Sequence, residues 1–406
     1  MNYSKMFLAK RIIKSSKIDD IRGTVINEMH RLNIRGKITP GMRIAITAGS
    51  RGIANNSLIL ATLISELKLY GAQPFIVPSM GSHGGANPEG QSGILRMLGI
   101  TEDSMGCPIK SQMNVVELTR TPEGFPVYLD REPARADGIV VVNRIKPHTE
   151  YSGDIESGLM KMMTIGLGKH QGALSAHRYS VQNGYQTVIT SIGREILKRA
   201  PILFGLALVE NAYDETARIT ALPPDLFEET ERGLLQEAKG FLARLPFDKL
   251  DILIIEKMGK EISGTGIDTN VIGRVIFVGS PEPLVPRITR IVVLDLTDES
   301  QGSAIGVGLA DFITRRLVKK INYRVTYINC LTAMTPEKAR IPATGETDQE
   351  GIEWAFQTIG AVNPQQARVV KIKDTLHLDE IYVSEPLLPE LKISSDWEFE
   401  TAGHEL

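Results

Sequence analysis

The chain has 406 residues, of which 42% are hydrophobic and 23% charged, and its formal net charge is -2. That length exceeds one ordinary core and predicts two domains, while the near-neutral balance excludes the electrostatic footprint of a nucleic-acid or anionic-membrane binder and favours a small-molecule partner. Two cysteines, Cys107 and Cys330, are too few for a disulfide framework or a cysteine zinc site and suit a reducing, cytoplasmic setting; no apolar run reaches the roughly 18–20 residues of a membrane span, and the N-terminal MNYSKMFLAKRIIKSS lacks a signal peptide's apolar stretch.

Strand-like and helix-like segments alternate over the first 210 residues. Ile18 to Leu32 reads as an amphipathic helix, Met42 to Thr47 as a buried strand, and Ser57 to Tyr70 as a helix closed by Gly71. Pro74 to Pro78 is a second strand, Gly90 to Leu98 a short helix, and Asp137 to Ile145 a strand rich in Val and Ile. A further helix is expected from Asp154 to Met163, a tight turn at Gly166 to His170, a helix over Gln186 to Arg199 and a strand over Ile202 to Val209. Alternation of this kind implies an α/β fold with a largely parallel sheet and right-handed crossovers.

Asp225 to Ala243 reads as a long charged helix. Beyond it come strands at Leu250, Ile291 to Leu296 and Arg324 to Ile328, a helix from Gln301 through Lys320, and another helix over Glu350 to Ile359. The expected division is a catalytic domain over 1–247, a second α/β domain over 248–373, and a segment over 374–406 that folds back on the first domain. The active site is expected in the cleft between domains.

Ligands of open α/β sheets gather where strands end and helices begin. Three loops there carry more polarity than a turn needs. Ala48-Gly49-Ser50-Arg51-Gly52 offers backbone N–H groups and a guanidinium to an anion, although it fits no phosphate-loop fingerprint and reads equally as a surface turn. Met80-Gly81-Ser82-His83-Gly84-Gly85 presents an imidazole between glycines. Lys146-Pro147-His148 opens the third loop, so two histidines sit at equivalent strand ends, as proton handling on two faces of one carbon requires. Lys161 lies among apolar neighbours, where an amine can become a nucleophile, or simply snorkel. His170 and His177 are seven apart and could share a helix face, yet neither HExxH nor a cysteine cluster accompanies them.

Taken in order, Gly81-Ser82-His83, Pro147-His148, Ser152-Gly153, Lys161 and His177 resemble the lactate racemase family, 2-hydroxyacid racemases and epimerases that use a nickel-pincer nucleotide. The resemblance is good over residues 40–180 and looser elsewhere. It implies that Lys161 tethers the cofactor (pyridinium-3-thioamide-5-thiocarboxylic acid mononucleotide with nickel) and that His177 is the protein's nickel ligand. It implies His83 and His148 as general acid/bases on opposite sides of the substrate, with Ser50 and Arg51 close to cofactor and substrate. The implied reaction inverts C2 by reversible hydride transfer through a planar 2-keto acid.

Some positions depart from the family. Ala48 stands where an acidic residue is usual, and the segment from His148 to Lys161 is about three residues longer. The second-domain stretch Gly266 to Arg274 lacks the family's tyrosine and glutamine, which leaves Lys257, Lys260 and Arg274 as candidates for the substrate-binding cation. These changes point away from lactate itself, towards a larger 2-hydroxy acid or one with a second carboxylate. Two other readings stand beside this one: a metal-dependent hydrolase or lyase with His83, His148 and His177 directly on a metal, and a non-catalytic protein that binds a small anion. Gly302 to Gly308 reads as close helix–sheet packing more readily than as an anion cradle. A homodimer is the assembly allowed for.

Overall fold

The computed structural model describes residues 3–12, 16–149, 151–242, 244–278, 282–393, 396–400 and 402–405; Glu150 of the His148 loop and Ala243 of the expected helix lie outside them. Two compact units result, Ser15–Leu242 and the pair Met1–Lys14 with Ala243–Leu406. The first strand, β1 (Met6–Arg11), therefore belongs with the C-terminal residues, where the sequence assigned it to the first domain.

The N-terminal unit is built on a five-stranded sheet of β2 (Arg43–Ala48), β3 (Gln73–Pro78), β6 (Gly138–Arg144), β7 (Ile202–Glu210) and β8 (Thr216–Leu222). A hairpin of β4 (Val115–Arg120) and β5 (Pro126–Asp130) stands apart from it. The order is β3-β2-β6-β7-β8, parallel except for β8. One face is covered by α1 (Ile21–Arg31), α2 (Asn56–Leu69) and α3 (Pro88–Met97). Ile44, Ile46, Val140, Val142, Phe204 and Leu206 pack there against Val25, Met29, Leu60, Leu63 and Leu95. The hydrophobic period of 3.6 on the helices meets the period of 2 on the strands, as the sequence led us to expect. The other face carries a short helix at Leu159–Lys161, then α4 (Lys169–Asn183), α5 (Tyr185–Arg199) and α6 (Phe227–Phe241). Gly205 of β7 is small because Leu159 and Phe227 press on it; a Cβ would stand 2.6 Å from each side chain.

The C-terminal unit has an eight-stranded sheet, adding to β1 the strands β9 (Lys249–Met258), β10 (Arg287–Leu296), β11 (Phe312–Thr314), β12 (Ala343–Gly345), β13 (Val369–Ile372), β14 (Glu380–Ser384) and β15 (Trp397–Phe399). Its order is β12-β11-β10-β9-β13-β14-β1-β15. The first five are parallel, whereas β14, β1 and β15 each run antiparallel to the strand before. Leu253 and Ile255 face one core, Ile252 and Ile254 the other. The segment expected to fold back on the first domain thus supplies β14 and β15 to this sheet.

Two local expectations fail for identifiable reasons. Arg324 to Ile328 is not a strand but lies in helix α7 (Tyr323–Thr332); Asn322 caps it by accepting from the Val325 N–H, and the buried Thr326 bonds its hydroxyl to the Asn322 carbonyl. A strong cap overrides β-branched composition. The helix expected from Gln301 begins only at Arg315, because β11 intervenes. The glycines before it serve close packing: Gly306 has φ +87°, and a Cβ there would sit 1.8 Å from the Thr265 carbonyl oxygen. No helix among the described residues is long and apolar enough to cross a membrane.

Gly306→Ala should therefore combine left-handed strain with overpacking, at a cost of about 2–4 kcal/mol. Urea unfolding should show a clearly lowered midpoint; an unchanged midpoint would refute the packing role.

Candidate active site

The winding of the first sheet decides where its site lies. The chain steps from β2 to β3 on one side, then returns past β2 to β6 on the other. At such a switch the two crossover connections leave in opposite directions, and a crevice opens at the carboxyl ends. The loops after β3, β2 and β6 carry His83, Ser50 with Arg51, and His148, so the arginine loop is flanked by a histidine loop on each side. With neighbouring strands about 4.8 Å apart, β3 and β6 stand roughly 10 Å from one another, the width of one small ligand.

His83 is half-buried, and its Nδ1 shares a hydrogen bond with Ser50 Oγ. A hydroxyl can donate or accept, so serine satisfies Nδ1 whichever ring nitrogen holds the proton. The ring can therefore carry its proton on either nitrogen. The loop itself needs its glycines. Gly81 has φ +58°, and its missing side chain lets Ala173 and Ile165 approach; Gly84 has φ +66° and touches Gly90 at the start of α3.

The Arg51 loop is anchored by Glu210 at the end of β7, which accepts from the Ala54 N–H at 2.5 Å and pairs with Arg144 at the end of β6. Burial, aided by the charge of Arg51 and opposed by Asp214, holds the Arg144 guanidinium down at about 10. Arg51 and Arg144 are thus electrostatic neighbours.

His148 belongs to a loop closed by paired backbone hydrogen bonds between Lys146 and Ser157, at 3.0 and 3.2 Å. Its hub is Glu156, a carboxylate only 1% exposed. Glu156 accepts from the His148 N–H at 2.5 Å and the Gly153 N–H at 3.0 Å, and pairs with Lys239 at 2.7 Å. The helix expected from Asp154 starts only at Leu159, since this carboxylate claims the preceding backbone. The His148 ring lies 4.5 Å from that of Tyr151, which stacks on Tyr185 at 4.9 Å. Tyr185 in turn bonds its hydroxyl to His177 Nδ1 at 2.8 Å. His148 and His177 are therefore joined through two tyrosines.

Lys161 ends the short helix and enters a π-helical turn, Met162–Gly166, a geometry concentrated at functional sites. The Met160 N–H donates to Glu231 of α6 at 3.1 Å, and Asn143 Nδ2 donates to the Gly158 carbonyl at 2.8 Å. His177 is half-buried on α4, whereas His170 on the same helix is exposed. The turn expected at Gly166 to His170 is this π-turn running into α4. Among the described residues, no three His, Cys, Asp or Glu side chains are grouped to hold a metal.

In the C-terminal unit, Lys257 ends β9 and Lys260 follows it, bonded to Asn329 at 2.9 Å, both at the carboxyl edge of the parallel strands. Arg274 does not join them. Its guanidinium donates to the Leu309 carbonyl and Asp311 at 2.8 and 3.0 Å and towards the Ile288 carbonyl, at the amino edge of β10 and β11. Lys257 is in register with Asp295, seven residues along β10 from Ile288, so the two edges are about 20 Å apart.

Sequence reasoning missed Glu156, Tyr185, Glu210 and Glu231. Glu156 and Glu210 carried one advance signal, an acidic residue next to an apolar run, whereas Tyr185 and Glu231, the latter in a charged helix, carried none. Burial of Glu231 has a cost: it pushes the carboxyl up to about 7. Between about pH 4.5 and 7 the folded chain keeps a proton that the unfolded chain has released, so stability falls as pH rises through that window, by on the order of 3 kcal/mol. Glu231→Gln should remove this loss, so that thermal unfolding at pH 5 and pH 8 shows the variant gaining on the wild type. Parallel pH slopes would contradict it.

Comparison with known proteins bears on the same residues. Residues 7–188 match the family model of the lactate racemase N-terminal domain, a span that includes His83, His148, Lys161 and His177. The lactate racemase apoprotein from Thermoanaerobacterium thermosaccharolyticum has the same fold, with a TM-score of 0.57 at 13% identity over 90% of this chain and 94% of that one. No curated protein matches the chain. Residues 7–188 thus resemble a lactate racemase N-terminal domain, and the chain shares the fold of that apoprotein.

Proposed function

We propose that this protein inverts C2 of a 2-hydroxy acid, with His83 and His148 as the proton-transfer pair and Lys161 and His177 as holders of a nickel-pincer nucleotide. The family likeness supports a racemase or epimerase. The observation that carries the finer reading is the strand order β3-β2-β6, which puts one histidine loop on each side of the Arg51 loop.

The donor set fits the group. A metal that arrives with donors of its own needs few from the protein, and the His177 imidazole offers one. His177 has Nδ1 engaged by the Tyr185 hydroxyl, which orients the ring. Lys161 supplies an amine at the edge of an apolar segment. When bound, the cofactor supplies the acceptor and donor of the C2 hydride. Arg51 fixes the substrate carboxylate by a charge-assisted hydrogen bond. One histidine would take the 2-hydroxyl proton, and the other would return a proton to that oxygen in the inverted product. Ser50 lets His83 play either part, as a reaction run in both directions demands.

Of the second-unit cations, Lys257 and Lys260 stand at the carboxyl edge of the parallel strands and Arg274 at the amino edge of β10 and β11, and all three remain candidates for substrate binding.

Intact-mass and metal analysis of protein produced together with a cofactor-synthesis pathway tests the reading. Wild type should carry a covalent adduct and one nickel per chain, and Lys161→Ala should lose the adduct. Nickel or zinc held at full stoichiometry without any adduct would refute the tether. His83→Gln and His148→Gln should each keep adduct and nickel yet lose about 10²–10⁴-fold in kcat. Tyr185→Phe should weaken nickel retention about 10–100-fold under chelator challenge; retention equal to wild type would remove Tyr185 from the site.

A further inference from the structure

A fully buried ammonium lies behind the His83 loop and has no part in the chemistry above. Lys169 is 0% exposed. Its Nζ donates to the Pro78 carbonyl at 2.7 Å and Gln91 Oε1 at 3.2 Å, and pairs with Asp130 at 3.3 Å. Two acceptors and one counter-charge thus surround the ammonium group. They come from the end of β3, from α3 and from the end of β5, while Lys169 itself begins α4, the helix of His177. Gln91 passes the contact on: its Nε2 donates to the Gly81 carbonyl at 3.0 Å and towards the His83 carbonyl at 3.3 Å.

We propose that Lys169 is a positioning residue which, through Gln91, holds the His83 loop in register with helix α4; the catalytic consequence rests on His83 being a proton-transfer residue. Three observations converge on it. Lys169 has φ +54°, a left-handed conformation that costs a lysine backbone strain, and this conformation goes with a side chain aimed inward. A buried ion pair contributes little net stability compared with apolar residues of the same volume, so its worth lies in fixed geometry. The surfaces it joins already touch: a Cβ on Gly81 would stand 3.2 Å from Ala173 of α4, and one on Gly166 2.7 Å from the Ser79 carbonyl oxygen. Lys169 thus locks an interface that packing alone would let slide, and a shift of about 1 Å at a reacting group can cost on the order of 10²-fold in rate.

The test uses ring-labelled histidine in the full chain without cofactor. Seven histidines give few signals, and His83→Gln identifies that of His83. Gln91→Leu cuts the link while leaving Lys169, Asp130 and Pro78 together; the pair Lys169→Met with Asp130→Asn removes both charges at once and leaves neither unpaired. Both should shift and broaden the His83 signal, and Gln91→Leu should leave that of His177 in place. In loaded enzyme, kcat should fall about 10–100-fold while KM, adduct and nickel content hold. An unmoved His83 signal in folded Gln91→Leu overturns the proposal, even if the charge-pair variant does not fold. A shifted signal in a chain that racemises no 2-hydroxy acid upholds the positioning and refutes the assigned reaction instead.

Discussion

Strand β2 lies between β3 and β6 because the chain reverses its winding after β3. At such a reversal the connections leave in opposite directions, and the loops at the carboxyl ends of three neighbouring strands come together. The site residues of the N-terminal unit inherit their position from that reversal. His83 and His148 are 65 positions apart in the chain, yet they flank one arginine loop. The same topology puts Leu159–Lys161 and α4 on the face opposite α1 and α2, so Lys161 and His177 approach from that face.

Topology places loops only to within a few ångströms. What holds them here is a set of buried charges, each bound to backbone. Glu156 gathers the His148 loop, Glu210 ties the Arg51 loop to Arg144, Glu231 receives the helix that ends at Lys161, and Lys169 fastens the His83 loop. Each is expensive to bury, and burial raises the carboxyls of Asp130 and Glu231 above their ordinary values. Apolar residues could fill these positions at no loss of stability, but they could not hold a particular carbonyl or N–H at a particular distance.

Much of this was legible in the sequence. The strands from Met42, Pro74 and Asp137 were announced by runs of Val, Ile and Ala ending in glycine-rich or proline-stiffened loops, and the ordered set His83, His148, Lys161 and His177 carried the family resemblance before any contact was known. The rest depended on long-range pairing. Strand β1 joins residues some 370 positions away, and nothing local in MFLAKR records that partner. The helix at Tyr323 was obscured by Val, Thr and Tyr, which favour strands, until Asn322 and Thr326 were seen to bond its first turn. Arg274 illustrates the opposite limit. Its residue type suited a carboxylate, but only its bonds to the Leu309 carbonyl and Asp311 show that it stands at the amino edge of β10 and β11.

The central claim is that hydrogen leaves and returns to C2 as hydride while His83 and His148 handle only the oxygen-bound proton. Racemisation of a C2-deuterated 2-hydroxy acid in ordinary water tests it most directly. The account predicts that the inverted product keeps its deuterium. Replacement of that deuterium by solvent hydrogen at the rate of inversion would contradict it, and would mean that a base removes the C2 proton itself.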